Sequence, residues 1–77
     1  MKKLVNKLAD FKTRIHELRK EKNISQAELA SLVGARRETI SQLENGRYNP
    51  SLKLAMLISR VFEIPIEEIF ILVDTED

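Results

Sequence analysis

Two short helices separated by a glycine turn constrain this chain more than any other feature of its sequence. Ser25-Gln26-Ala27-Glu28 has the form of a capping box: the Ser25 hydroxyl accepts from the third helical amide, and Glu28 reaches back. A helix is therefore expected from Gln26 to about Leu32, burying Leu29, Ala30 and Val33, with Ile24 packing beside Leu29 from ahead of the cap. Gly34 stands where a left-handed backbone ends that helix. The next helix follows almost at once, from about Arg36 to Glu44, and Asn45-Gly46 stops it. Only Ile40 and Leu43 are strongly apolar there, so it buries a narrow stripe.

Two helices joined this way have the form of a helix-turn-helix. The geometry makes several demands. Ala30 has to be small where the helices cross, and Gly34 has to permit the turn. Val33 and Ile40 have to fill the wedge, and Leu43 has to anchor the far end. All are present, although any helical bundle with a short turn would meet the same conditions.

Downstream, Tyr48-Asn49-Pro50 reads as a loop and Ser51 as the next cap. A helix from Leu52 to Phe62 is apolar nearly all round, which requires burial on more than one side. Pro65 opens a fifth short helix, Ile66 to Ile69. Phe70-Ile71-Leu72-Val73 is apolar and bounded by acidic residues, as a short strand would be. A lone strand has no partner in a helical domain, so its open edge points to a second copy.

Upstream, a first helix is expected from about Phe11 to Glu21, with Asp10 as a cap and Ile15 and Leu18 on its buried stripe. Leu4, Leu8, Phe11, Ile15 and Leu18 alternate spacings of four and three, a heptad-like seam free of Gly and Pro. Either that helix starts near Lys2, or the first ten residues form a separate arm. The resulting division is an N-terminal extension over 1–10, a helical domain over 11–70 and a C-terminal strand with an acidic tail over 71–77.

Composition removes most other readings. There is no cysteine, hence neither disulfide nor thiolate metal site, and His16 is the lone histidine. Neither a Ser-His-Asp triad, a paired-carboxylate site nor a Gly-rich phosphate loop is visible, so neither enzymatic activity nor a cofactor or metal is expected. No apolar run approaches the ~20 residues of a membrane span. The basic start, Met1 to Lys7, lacks the long apolar stretch of a secretory signal, so a cytoplasmic protein is expected. The net charge of +1 hides an asymmetry: residues 1–22 carry eight Lys/Arg against three acids, and residues 61–77 carry six acids and no base. Such polarity suits two faces that meet different partners.

Taken together, Ser25-Gln26-Ala27-Glu28-Leu29-Ala30, Gly34, Arg37-Glu38-Thr39-Ile40-Ser41 and Glu44-Asn45-Gly46-Arg47-Tyr48-Asn49-Pro50-Ser51-Leu52 resemble the Cro/phage-repressor-type helix-turn-helix regulators. The likeness spans about residues 12–70. It implies an all-α, five-helix, lambda-repressor-like DNA-binding domain, here followed by a short C-terminal β-strand.

The resemblance also implies roles. Gln26 would bond a DNA phosphate and brace the second helix of the motif. The start of that helix would enter the major groove, placing Arg36, Arg37 and Glu38 at base edges, with Gln42 one turn along. Arg37 suits guanine and Gln42 suits adenine, because their donor and acceptor pairs match those edges. Thr39, Ser41, Asn45, Arg47 and Tyr48 are assigned to the DNA backbone. Glu38 could equally serve the helix dipole or position Arg37. Glu44 is expected to pair with a basic residue of the first helix such as Arg14. The sequence departs from the family at Arg36, where Ser or Thr often caps the helix, at Leu57, where a polar residue is common, and at Glu63, where Gly or Asn often stands.

One domain touches few base pairs, and family members usually pair about a two-fold axis with recognition helices ~34 Å apart. Met56, Leu57, Phe70, Ile71, Leu72 and Val73 are surplus apolar surface, so a homodimer is expected through the fourth and fifth helices and antiparallel Ile71–Val73 strands. The expected partner is a palindromic double-stranded DNA operator, and the expected role is transcriptional repression. Two alternatives are the antitoxin of a toxin–antitoxin pair and a protein-interaction module on the same fold.

Overall fold

A computed structural model of the chain describes residues 9–74. The order of elements is β1 (Ala9–Thr13), α1 (Ile15–Lys22), α2 (Gln26–Val33), α3 (Arg37–Glu44), α4 (Leu52–Phe62), α5 (Ile66–Ile69) and β2 (Phe70–Asp74). The fold is mostly helical, with five helices among the described residues.

The two strands correct the expectation for the N-terminal segment. Residues 9–13 are extended and pair antiparallel with β2, in the register Phe11 to Leu72 and Thr13 to Phe70. The C-terminal strand therefore finds its partner within the same chain. Phe11 and Thr13 are half-buried and Lys12 is exposed, the period-two alternation of a strand. The Phe11 and Phe70 rings meet edge-on, 6.2 Å apart, a favoured aromatic geometry. Of the seam of fours and threes, Phe11 is extended and Ile15 and Leu18 are helical, while Leu4 and Leu8 lie outside the described residues. Asp10 sits in β1 and does not cap α1. That place belongs to Arg14, which makes no side-chain cap hydrogen bond. The Ile15 amide instead donates to Thr13 Oγ1 at 3.4 Å, and the Arg14 amide donates to the Ile69 carbonyl at 2.9 Å. The latter bond ties the start of α1 to the end of α5.

The core is aliphatic, as the scarcity of aromatic residues requires. Ile15, Leu29, Ile40, Leu43, Ile58 and Ile69 are wholly buried, and Leu18, Ala30, Val33 and Phe62 join them. Burying each large aliphatic side chain contributes roughly 1.5–3 kcal/mol. Every one of the five helices supplies at least one of these residues, so α2 and α3 rest on a support drawn from the whole domain. Glu63 ends α4 in a left-handed conformation, φ 60°. The Ser59 hydroxyl, donating to the Ile64 carbonyl at 2.5 Å, stabilises that turn.

Candidate nucleic-acid interface

The capping box forms as its sequence demands. The Glu28 amide donates to Ser25 Oγ at 3.0 Å, and the Ser25 amide donates to Glu28 Oε1 at 2.7 Å. At the other end Gly34 adopts φ 70°, and a Cβ there would meet nothing within 4 Å. Backbone conformation, and not space, calls for glycine at this turn. The Ala35 amide closes it by donating to the Ala30 carbonyl at 2.9 Å. Ala30 is 3% exposed at the crossing of α2 and α3, as the motif requires.

Helix α3 starts differently. Arg36 holds the N-cap position with extended backbone, φ −90° and ψ 153°, and its side chain makes no cap hydrogen bond. Ile40 and Leu43 are fully buried and fasten one side of the helix to the core. Arg36, Arg37, Glu38 and Gln42 are exposed on the outer side, and Thr39 and Ser41 are half-buried beside them. All four expected base-reading residues are thus exposed: Arg37, Glu38 and Gln42 lie on the side of α3 turned away from the core, and Arg36 stands ahead of them at the N-cap. The cations there are unengaged. Among the described residues Arg36, Arg37, Arg47 and Lys53 form no ion pair, whereas Arg14 and Arg19 both do.

The far end of α3 is locked. Glu44 pairs with a basic residue of the first helix, as expected, but with Arg19 and not the suggested Arg14, the Arg19 Nε donating to Glu44 Oε2 at 2.6 Å. Arg14 instead bonds Glu17 at 3.0 Å and the Glu68 carbonyl at 3.2 Å. The choice follows from position. Arg19 follows Leu18 on the inner side of α1 and is 8% exposed, so burial obliges it to find a carboxylate. Its guanidinium also donates to Glu44 Oε1 and to the Ile24 carbonyl, and lies 3.2 Å from His16 Nδ1. Burial pushes the Glu44 carboxyl up, yet hydrogen bonds from Arg19 and Gln26 and the charge of Arg19 outweigh it and hold it below its ordinary value. The sequence reading overlooked Arg19. Its signal was a cation adjoining the apolar stripe.

Gln26 belongs to the same cluster. Its Nε2 donates to Glu44 Oε1 at 3.1 Å, which joins the first turn of α2 to the last turn of α3. Asn45 is partly committed as well, its side-chain amide donating to the Ser41 carbonyl at 3.0 Å. Gly46 has φ 68°, and a Cβ there would stand 3.0 Å from the Phe11 carbonyl oxygen. Two conditions therefore require glycine at this stop, the second created by β1 passing close beneath it. Arg47 and Tyr48 are exposed in the loop that follows.

The residues expected to join two copies divide into two groups. Met56 (54% exposed) and half-buried Leu57 line an open groove of about 660 Å³ with Leu52, Ile66, Arg60 and Glu67. Ile71, Leu72 and Val73 are exposed on β2, whereas Phe70 packs against the core.

Comparison with known proteins agrees with this geometry. The helix-turn-helix family model matches residues 15–69. An uncharacterized HTH-type transcriptional regulator of Archaeoglobus fulgidus is 58% identical over 66 residues, 86% of this chain and 93% of that protein. The c2 repressor of phage P22, solved with a synthetic operator, superposes with a TM-score of 0.68 at 30% identity, over 70% of this chain and 82% of that one. The restriction-modification controller protein C.AhdI of Aeromonas hydrophila superposes at 0.65 with 34% identity, over 71% of this chain and 83% of that one. A buried Ile40–Leu43 stripe, a glycine turn and an open polar face on α3 are thus this chain's version of a shared design, and it belongs to the Cro/C1-type helix-turn-helix family of DNA-binding transcriptional regulators.

Proposed function

We propose that the protein is a homodimeric transcriptional repressor that reads a palindromic operator in the cytoplasm. The observation that carries this reading is the exposed start and outer side of α3, where the side chains of Arg36, Arg37, Glu38 and Gln42 have no partner among the described residues. Arg37 donates in bidentate fashion to guanine, and Gln42 pairs with adenine. Arg36 and Glu38 flank them at neighbouring base edges. Gln26, Thr39, Ser41, Asn45, Arg47 and Tyr48 hold the backbone, and such contacts set register without reading sequence. Gln26 reaches a phosphate from α2 while its own amide is steadied by Glu44.

Dimerisation sets the spacing of two such faces. The α4–α5 groove supports it, because exposed Leu52 and Met56 lie there beside charges of both signs, Arg60 and Glu67. Such a surface can complement itself across a two-fold axis. The outer edge of β2, with Ile71, Leu72 and Val73, extends the contact. Repression follows from occupying the operator and excluding other proteins. Selection of bound sequences from a random duplex pool tests the whole reading. An enriched palindrome is the expected result, and a pool without enrichment would refute it. Sedimentation showing a monomer at high micromolar concentration would refute the dimer alone.

A further inference from the structure

A second crevice, of about 560 Å³, opens between the start of α3 and the start of α4. Arg36, Thr39, Tyr48, Ser51 and Lys53 line it over an apolar floor of Leu54 and Leu57, with the Gly34 turn as its third side. Among the described residues no carboxylate lines it, although acids and bases are nearly balanced in the chain as a whole. The neighbouring α4–α5 groove, by contrast, is lined by Glu67 as well as by Lys53 and Arg60.

The polar groups of the crevice are rich in donors. Lys53 and Arg36 are donors only, and neither has an ion-pair partner among the described residues. Ser51 Oγ already accepts the Leu54 amide at 3.0 Å, which leaves its O–H hydrogen to donate outward. Thr39 and Tyr48 add two hydroxyls. Two cations and three hydroxyls around one opening suit an anion with several acceptor oxygens. We infer that the crevice seats a phosphate of the DNA backbone, with Lys53 as its principal cation.

The inference rests on the DNA-reading role of α3. Arg36 and Thr39 border both the crevice and the base-reading face, so a duplex docked on that face brings its own phosphates to the opening. A free phosphate shares the same chemistry, and only the two experimental arms below separate the sources. Lys53 is absent from the roles that the family resemblance assigns. It is exposed on α4, so its replacement leaves the core intact.

The test compares the wild-type protein with Lys53→Gln and Lys53→Arg on a selected operator duplex and on a random duplex, across a salt series. Each phosphate contact contributes about 0.9 to the slope of log K against log salt. Lys53→Gln is expected to lower that slope by about one per bound protomer on both duplexes, and Lys53→Arg to retain it. In the second arm inorganic phosphate, added to the free protein, is expected to leave the melting temperature of wild type and Lys53→Gln equally unmoved. Three results would overturn the inference: an unchanged slope for Lys53→Gln while wild type binds DNA, a slope lost only together with the dimer in sedimentation, or a phosphate-dependent rise in melting temperature that Lys53→Gln abolishes. A wild-type protein without salt-dependent DNA binding would instead refute the function proposed above, and this site with it.

Discussion

Helices α2 and α3 have eight residues each and share a turn, yet their ends are finished in opposite ways. At its start α2 is closed by a reciprocal capping box, and at its end by a left-handed glycine. The start of α3 is bare, with Arg36 where a capping side chain would sit, and its end is held by a buried carboxylate. In the capped first turn of α2 the Glu28 amide and the Glu28 carboxylate are both committed to Ser25. An uncapped first turn with two arginines keeps donors available and is disfavoured by the helix dipole until an anion arrives. Helix α2 is thus finished at both ends by its own local sequence, while α3 is held at its far end by Arg19 and, on the function proposed above, would be completed at its start by DNA.

This contrast breaks most severely at the locked end. Arg19→Met leaves the buried Glu44 carboxylate with only Gln26 and His16 beside it and should cost about 3 kcal/mol in urea unfolding. Replacing both partners with apolar residues should recover most of that loss, because the desolvation penalty disappears with the charges. The same pair sets an acid limit. Glu44 has a folded pKa below its ordinary value near 4.5, so its contribution is present above that pH. It is lost as the pH falls through the lower folded value. Melting temperatures from pH 7 to pH 3 should therefore drop more for wild type than for Glu44→Gln, which starts lower. Parallel curves would remove Glu44 from the account.

At the reading end, Arg37→Ala should leave folding unchanged and erase preference at one base pair, about 1–3 kcal/mol of discrimination. Repeating the sequence selection with the variant measures it, and an identical consensus would take Arg37 out of base reading. Arg36→Ser restores the missing cap and should add about 1 kcal/mol of stability, while weakening operator binding. A variant that is both more stable and as tight a binder would show that the bare start serves no DNA contact. The smallest effect is expected at Arg47→Ala, which should weaken all duplexes about equally and lower the salt slope by about one per protomer.

How much could be read in advance depends on how far apart the partners lie in the chain. The Ser25–Glu28 box, the Gly34 turn, the Ile40–Leu43 stripe and the Ser51 cap were all legible, because each rests on contacts within about one helical turn. The exposed face of Arg37, Glu38 and Gln42 follows from the same helical period, whereas Arg36 precedes the helix on extended backbone. Strand β1 was not legible. Phe11 continues a perfect helical spacing, and nothing local reveals that β2, near the other end of the chain, needs its backbone. Arg19 was missed for a related reason. Arg14 and Arg19 are equal candidates for Glu44 by charge, and burial decides between them across 25 residues.

The sequence by itself thus determined the helices, their caps, the helix-turn-helix and the face it presents, since hydrogen bonds and periodicities of three and four residues specify them locally. Only the tertiary structure decided that residues 9–13 form a strand, that Gly46 must admit the Phe11 carbonyl, and which arginine anchors α3. Those outcomes satisfy backbone groups and charges whose partners lie far away in the chain, and proximity in space selects them.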